Sequence, residues 1–177
     1  MTAQTPSFSR SVPEGDTHER AVCDRCGFVS YDNPRIIVGS VPRDEQGRFL
    51  LCRRAIEPRR GFWTLPAGFL ELSETPEEGA RREAMEEARA ALDLGPLLAI
   101  YTVTRISQVQ LFYRARLTST PEAGEESLEV ALFRHEEIPI KALAFPTVAS
   151  AIAHELEAER LAARGLAFSP FTHWEQP

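Results

Sequence analysis

Polar positions dominate the first 34 residues, where Pro, Gly, Ser and Asp recur without period, so this stretch reads as an irregular segment. After Asn33-Pro34 the pattern becomes that of a packed domain. Arg35–Val41 (RIIVGSV) has the near-continuous apolar character of a buried strand. Asp44-Glu45-Gln46-Gly47 has the composition of a hairpin turn, and Arg48–Arg53 reads as the returning strand. Trp63–Phe69 is an apolar run broken by Pro66 and Gly68, a strand that feeds a loop. Leu97–Thr104, Val109–Leu117 and Leu128–Phe133 predict further strands, and a helix is expected from Pro146 or Thr147 to about Ala163, capped by Gly165.

The strongest helix signal begins at Thr75. Its side chain is placed to cap the helix, Pro76 occupies the first helical position where a missing N–H costs nothing, and Glu78 completes a capping box. Ala80, Ala84 and Ala88 form a small-residue stripe that lets the helix lie close to a neighbour. The run of good helix formers predicts that this helix continues to about Leu92. Strands and helices in this order predict an α/β fold, a mixed sheet with helices on its faces. The expected divisions are an N-terminal segment over 1–34, a main domain over 35–165 and a C-terminal tail over 166–177.

Composition narrows the function classes. The chain of 177 residues is 43% hydrophobic and 26% charged, as expected of a globular protein with one main domain. A net charge of −6 disfavours general nucleic-acid or anionic-membrane binding. No apolar stretch approaches the length of a membrane span and no signal-peptide core opens the chain, so the expected location is cytoplasmic. Of the three cysteines, Cys52 lies in a strand-like run and reads as a small buried hydrophobe. Cys23 and Cys26 form a Cys-Asp-Arg-Cys-Gly knuckle, half of a zinc-ribbon ligand set. With no second CxxC, structural zinc is not expected.

The chemistry concentrates in Gly68–Ala90. Glu83, Glu86 and Glu87 are spaced i, i+3, i+4, so they share one helical region. Arg82, four residues before Glu86, does not neutralise three carboxylates, whereas a hard divalent cation does. Oxygen-only donors favour Mg²⁺ or Mn²⁺ over zinc, with the Gly68 carbonyl as a further ligand. Arg53, Arg54, Arg59 and Arg60 flank the strand before Trp63 and offer guanidinium groups to an anionic substrate, one or two of them in contact with phosphate. Phe62, Trp63, Tyr101 and Phe112 are candidates for stacking on a base.

These residues resemble the Nudix family. Gly68, Glu74, Arg82, Glu83, Ala84, Glu86, Glu87 and Ala90 stand at the positions of the Nudix box, and the box's last glycine is replaced by Arg89. The CxxCG knuckle, Asn33-Pro34, and the segments around Cys52–Pro58 and Glu126–Glu129 are similar to a zinc-ribbon branch. That branch includes bacterial ADP-ribose pyrophosphatase-like proteins and plant FAD pyrophosphohydrolases. The resemblance implies a Nudix α/β/α sandwich preceded by a degenerate zinc ribbon. It implies metal-dependent cleavage of a phosphoanhydride in a small nucleotide, ADP-ribose or a dinucleotide such as FAD or NADH, to release AMP. Homodimers occur among such relatives. The implied site comprises Arg82, Glu83, Glu86 and Glu87, with Glu74 orienting Arg82. Glu86 and Glu87 are candidate bases in the box. Glu126 and Glu129 supply a later acidic loop, of which Glu129 is the favoured catalytic residue and Glu126, with Arg53 and Arg54, a substrate contact. A non-catalytic Nudix sensor, and a zinc-ribbon interaction protein whose acidic helix is merely solvated, are the competing readings.

Overall fold

The structure is a computed structural model that describes residues 6–175. The chain forms two compact units divided between Pro34 and Arg35. The first is not irregular: β1 (Phe8–Ser11), β2 (Arg20–Cys23) and β3 (Val29–Ser30) form an antiparallel three-stranded sheet. Its strands of four, four and two residues are too short for hydrophobic alternation to reveal them. The turn at Asp24–Cys26 joins β2 to β3, with Gly27 donating to the Cys23 carbonyl at 2.9 Å.

The second unit is built on β4 (Arg35–Arg43), β5 (Phe49–Arg54), β6 (Trp63–Thr64), β7 (Ala67–Phe69), β8 (Leu92–Val103), β9 (Gln108–Leu117), β10 (Ser127–Phe133) and β11 (Phe171–Glu175). The main path runs β10-β5-β4-β9-β8-β11, with β6 beside β5 and β7 beside β4. β4 lies parallel to β9 and antiparallel to β7, so the sheet is mixed. Two helices cover it, α1 (Pro76–Ala88) and α2 (Pro146–Ala163).

The two-residue period of the strands assigns the faces. Val38, Leu50, Cys52, Tyr113 and Leu117 join Ala80 and Ala88 of α1 in two adjoining clusters. Val41, Phe49, Leu51 and Phe112 turn the other way, onto Val148, Ala151 and Ile152 of α2. The helices therefore occupy opposite faces of an α/β/α sandwich. α2 also buries Glu155 in its apolar stripe, where Arg114 grips it with two hydrogen bonds of 2.7 Å.

Two boundaries depart from the sequence reading. Helix α1 stops at Ala88 instead of reaching Leu92, because Arg89 itself takes the left-handed conformation (φ 48°, ψ 31°) that glycine ordinarily supplies. Leu92 then opens β8. The expected tail over 166–177 contains β11, which pairs in parallel with β8 from Phe171 opposite Ala99 to Glu175 opposite Val103.

Candidate active site

Local sequence brings the acidic helix to the sheet. The capping box at Thr75 forms as expected: Thr75 Oγ1 accepts from the Glu78 N–H, and Glu78 accepts from the Thr75 N–H at 2.7 Å. This starts α1 at a set rotation and turns Gly79, Ala80, Glu83, Ala84, Glu87 and Ala88 inward. The inward stripe of small residues thus carries two carboxylates with it. Glu83 and Glu87 are only 8% and 5% exposed, whereas Glu86 lies at the solvent edge.

Gly68 faces this pair from β7. A Cβ at that position would lie 2.3–2.4 Å from the Glu83 carboxyl atoms, so any other residue there would push the Glu83 carboxylate out of its place. The neighbouring Ala67 N–H reaches Glu87 Oε2 at a long 3.4 Å. Burial, reinforced by the adjacent Glu83 charge, raises the Glu87 pKa to about 8. Burial also raises that of Glu83, although Arg82 opposes the shift.

Arg82 is the hub beside them. Glu74 grips its Nε and Nη2 at 3.0 and 2.7 Å, while Nη1 donates to Glu83 at 2.7 Å and to Glu86 at 2.9 Å. Nη2 also donates to the Phe69 carbonyl. The Arg82 contact and the Glu71 N–H hold the Glu74 pKa at about 2, so this carboxylate stays charged and keeps the guanidinium fixed. One arginine thus serves three carboxylates and leaves Glu87 without a cationic hydrogen-bond partner. Among the described residues, no three His, Cys, Asp or Glu side chains are already placed together to hold a metal ion. The donor set nevertheless suits a hard cation: carboxylates only, two of them buried, one carrying an uncompensated ionisation cost.

The loop between β9 and β10 completes the cluster. After β9 the chain folds back over the C-terminal end of α1, where four helical carbonyls lack internal partners. Glu122 N–H donates to the Ala88 carbonyl at 2.8 Å and Gly124 N–H to the Glu87 carbonyl at 3.0 Å. A Cβ on Gly124 would sit 1.7 Å from the Glu86 carbonyl oxygen, an impossible contact. This docking delivers Glu126 to the cluster, where its charge adds to the upward shifts of Glu83 and Glu87.

Glu126, Arg54, Gly68, Arg82, Glu83, Glu86 and Glu87 line one cleft of about 530 Å³. Glu129 does not. A bulge between Ser127 and Glu129 sets Glu129 opposite Arg53, with the two side chains 3.4 Å apart. The next residue, Val130, packs in the cluster beneath α1, so Glu129 points to the other face. Arg53 is drawn off with it. Of the four flanking arginines only Arg54 reaches the cleft, its Nε donating to the Pro58 carbonyl at 2.8 Å.

Among the stacking candidates Phe112 lines the cleft, whereas Trp63 packs edge-on to Phe133 and Tyr101 stacks on His154. Sequence reasoning missed Ile56, Phe69, Arg105, Ile106, Gln108, Gln110 and Phe145, which form much of the remaining lining. They come from turns and strand ends whose local pattern carries no signal for a shared cavity.

A mixed-sheet α/β/α sandwich with a helix-borne carboxylate cluster in a cleft is the architecture of a class of hydrolases that generally use divalent metals. The chain belongs to the Nudix family: the NUDIX domain model matches residues 33–154, and the Nudix N-terminal zinc-ribbon model matches residues 5–32. The crystal structure of a NUDIX hydrolase from Nitrosomonas europaea is similar over 99% of this chain and 98% of that one, with 39% identity and a TM-score of 0.84. A human 8-oxo-dGDP phosphatase is 34% identical over 108 residues, 58% of this chain and 33% of that protein. An ADP-ribose pyrophosphatase from Methanocaldococcus jannaschii is 33% identical over 72 residues, 41% of this chain and 42% of that protein. The chain thus spans well under half the length of these two curated relatives. No helix among the described residues is long and apolar enough to cross a membrane.

Proposed function

We propose that this chain hydrolyses the phosphoanhydride of a nucleoside diphosphate linked to a second group, ADP-ribose or a dinucleotide such as FAD or NADH, releasing AMP. The observation that carries the reading is the buried Glu83–Glu87 pair against Gly68, with Arg82 already committed to Glu74, Glu83 and Glu86. Glu83, Glu86, Glu87 and the Gly68 carbonyl would hold Mg²⁺ or Mn²⁺. When bound, the ion neutralises pyrophosphate oxygens and acidifies a water. Arg54 binds a phosphate oxygen through the guanidinium nitrogens not engaged with Pro58. Glu126, brought to the cluster by the docked loop, takes the proton of the attacking water on its carboxylate. Glu74 keeps Arg82 in place, and Arg82 orients Glu83 and Glu86.

The test is a product screen with ADP-ribose, FAD, NADH, nucleoside triphosphates and 8-oxo-dGDP, each with Mg²⁺ or Mn²⁺ and again with EDTA. AMP from ADP-ribose or a dinucleotide, abolished by EDTA, supports the reading. Turnover of 8-oxo-dGDP alone moves the substrate to nucleoside diphosphates and refutes the linked-nucleotide assignment. Binding without turnover across the panel supports a sensor.

A further inference from the structure

Two half-buried amides stand on an otherwise apolar stretch of the sheet. In the strand register Phe69 of β7 pairs with Ile37 of β4, Ile37 with Gln110 of β9, and Gln110 with Tyr101 of β8. Directly paired residues share a face, so these four side chains form one row. Gln108, two residues from Gln110 on the same strand, pairs with Val103 and turns to the same side. Further along this face Phe112 joins the core beneath α2. Ile37, Phe69, Val103, Gln108, Gln110 and Phe112 all line the cleft, and the large apolar side chains of Phe69 and Ile106 remain exposed.

Within this row the amides have only each other. Gln110 Nε2 donates to Gln108 Oε1 at 3.2 Å, and neither side chain makes another hydrogen bond among the described residues. A primary amide carries two N–H donors and a carbonyl acceptor, so Gln110 keeps one N–H and its carbonyl for the cleft. Polar groups on an apolar surface cost free energy unless they are paired. Apolar side chains would serve these positions better if the row had only to pack.

We infer that Gln110 selects adenine by reading its N6 amino group and N7, and that Gln108 is the positioning residue that fixes the Gln110 amide. The inference rests on the reading that the substrate carries an AMP moiety. Adjacent strands lie about 4.8 Å apart, so the backbones of Phe69 and Gln110 stand roughly 10 Å apart across Ile37. A purine laid over Ile37, against the Phe69 ring, turns its edge to Gln110. Gly68, which faces the Glu83 carboxylate, directly precedes Phe69, so the base lies beside the phosphates to which it is joined. The Gln110 carbonyl accepts from the N6 amino group, and its second N–H donates to N7. Gln108 takes the first N–H and so holds the amide in this orientation. Hypoxanthine carries oxygen in place of the amino group and would set that oxygen against the Gln110 carbonyl.

The experiment measures binding of AMP and of inosine monophosphate to the full chain by calorimetry, and hydrolysis of ADP-ribose and its hypoxanthine counterpart with Mg²⁺. Wild type is expected to favour the adenine compound about 10- to 100-fold, in Kd and in kcat/KM alike. Gln110→Met, similar in length but without an amide, should bring both ratios to within about 3-fold, raising KM for ADP-ribose with little change in kcat. Gln110→Leu is measured in parallel, and thermal melting checks that both variants fold. Gln108→Leu should narrow the ratios several-fold, and unchanged ratios there overturn its positioning role. No binding of AMP, equal binding of AMP and inosine monophosphate by wild type, or a preference that survives in Gln110→Met overturns the inference. Equal kcat/KM for the two linked nucleotides also overturns it while the hydrolytic reading stands. A Gln110-dependent preference for AMP without turnover supports it and removes the hydrolytic reading.

Discussion

Glu87→Gln is expected to stabilise the metal-free protein while destroying its activity. The Glu87 carboxyl is 5% exposed, its one hydrogen bond is 3.4 Å long, and Glu83 stands beside it. Burial raises its pKa from 4.5 to about 8. A raised carboxyl pKa means that folding favours the protonated form. The stability it contributes is therefore complete below about pH 4.5 and is lost as pH rises through about 8. At about 1.4 kcal/mol per pH unit the full ionisation cost is on the order of 5 kcal/mol, and relaxation and coupling to Glu83 reduce it to roughly 2–4 kcal/mol. The neutral amide does not bear this cost. In EDTA at pH 8 the variant should melt roughly 5–15 °C above wild type. The assay is thermal unfolding between pH 5 and pH 9, with and without saturating Mg²⁺. Wild type should lose stability with rising pH in EDTA and regain it with Mg²⁺, while the variant responds weakly to both and hydrolyses substrate on the order of 10²-fold more slowly or worse. Superimposable pH profiles in EDTA, or equal stabilisation of both proteins by Mg²⁺, would refute the assignment of Glu87 as a buried carboxylate that a cation relieves.

Three further outcomes separate the parts of the site. Gly124→Ala places a methyl against the Glu86 carbonyl and must displace the loop that carries Glu126. We expect kcat to fall about 10²-fold with KM and Mg²⁺-dependent melting little changed, since the box carboxylates stay in place. Steady-state kinetics beside a metal titration checks this, and parallel loss of metal response counts against it. Glu126→Gln should lose on the order of 10²-fold in kcat, whereas Glu129→Gln should stay within a few-fold of wild type; the reverse ranking restores Glu129 as the base. Arg89→Gly relieves a left-handed non-glycine residue and should stabilise the fold by about 1 kcal/mol in denaturant unfolding, with activity retained.

The fold was legible wherever hydrophobic period and turn chemistry agreed. Arg35–Val41 is buried along most of its length and became β4, the hairpin at Asp44–Gly47 formed, and α2 spans Pro146–Ala163 as its start and stop signals require. It was illegible where pairing supplies what local sequence lacks. Phe171–Glu175 is a strand because the edge of β8 offers it unpaired backbone groups, and nothing in its own composition demands that partner. The three strands of the N-terminal unit fail for a related reason, since four- and two-residue strands leave no alternation to read.

The site divides along the same line. Residues in the window Gly68–Ala90 were legible because helical spacing alone brings Glu83 and Glu87 to one face. The choice between Glu126 and Glu129 was not, because it turns on a bulge at Leu128 and on a loop docked on the C-terminal end of α1. The two ends of that docking also explain how the family's box glycine can become Arg89. At Arg89 the demand is for a positive φ, a cost on the order of 1 kcal/mol that a non-glycine residue can bear. At Gly124 the demand is for empty space, and a contact of 1.7 Å with backbone admits no side chain. Glycine is thus dispensable where it eases a dihedral and required where two backbones touch. The helix end keeps its shape, and Glu126 its place, because the residue that was exchanged is the one whose role carries only a conformational cost.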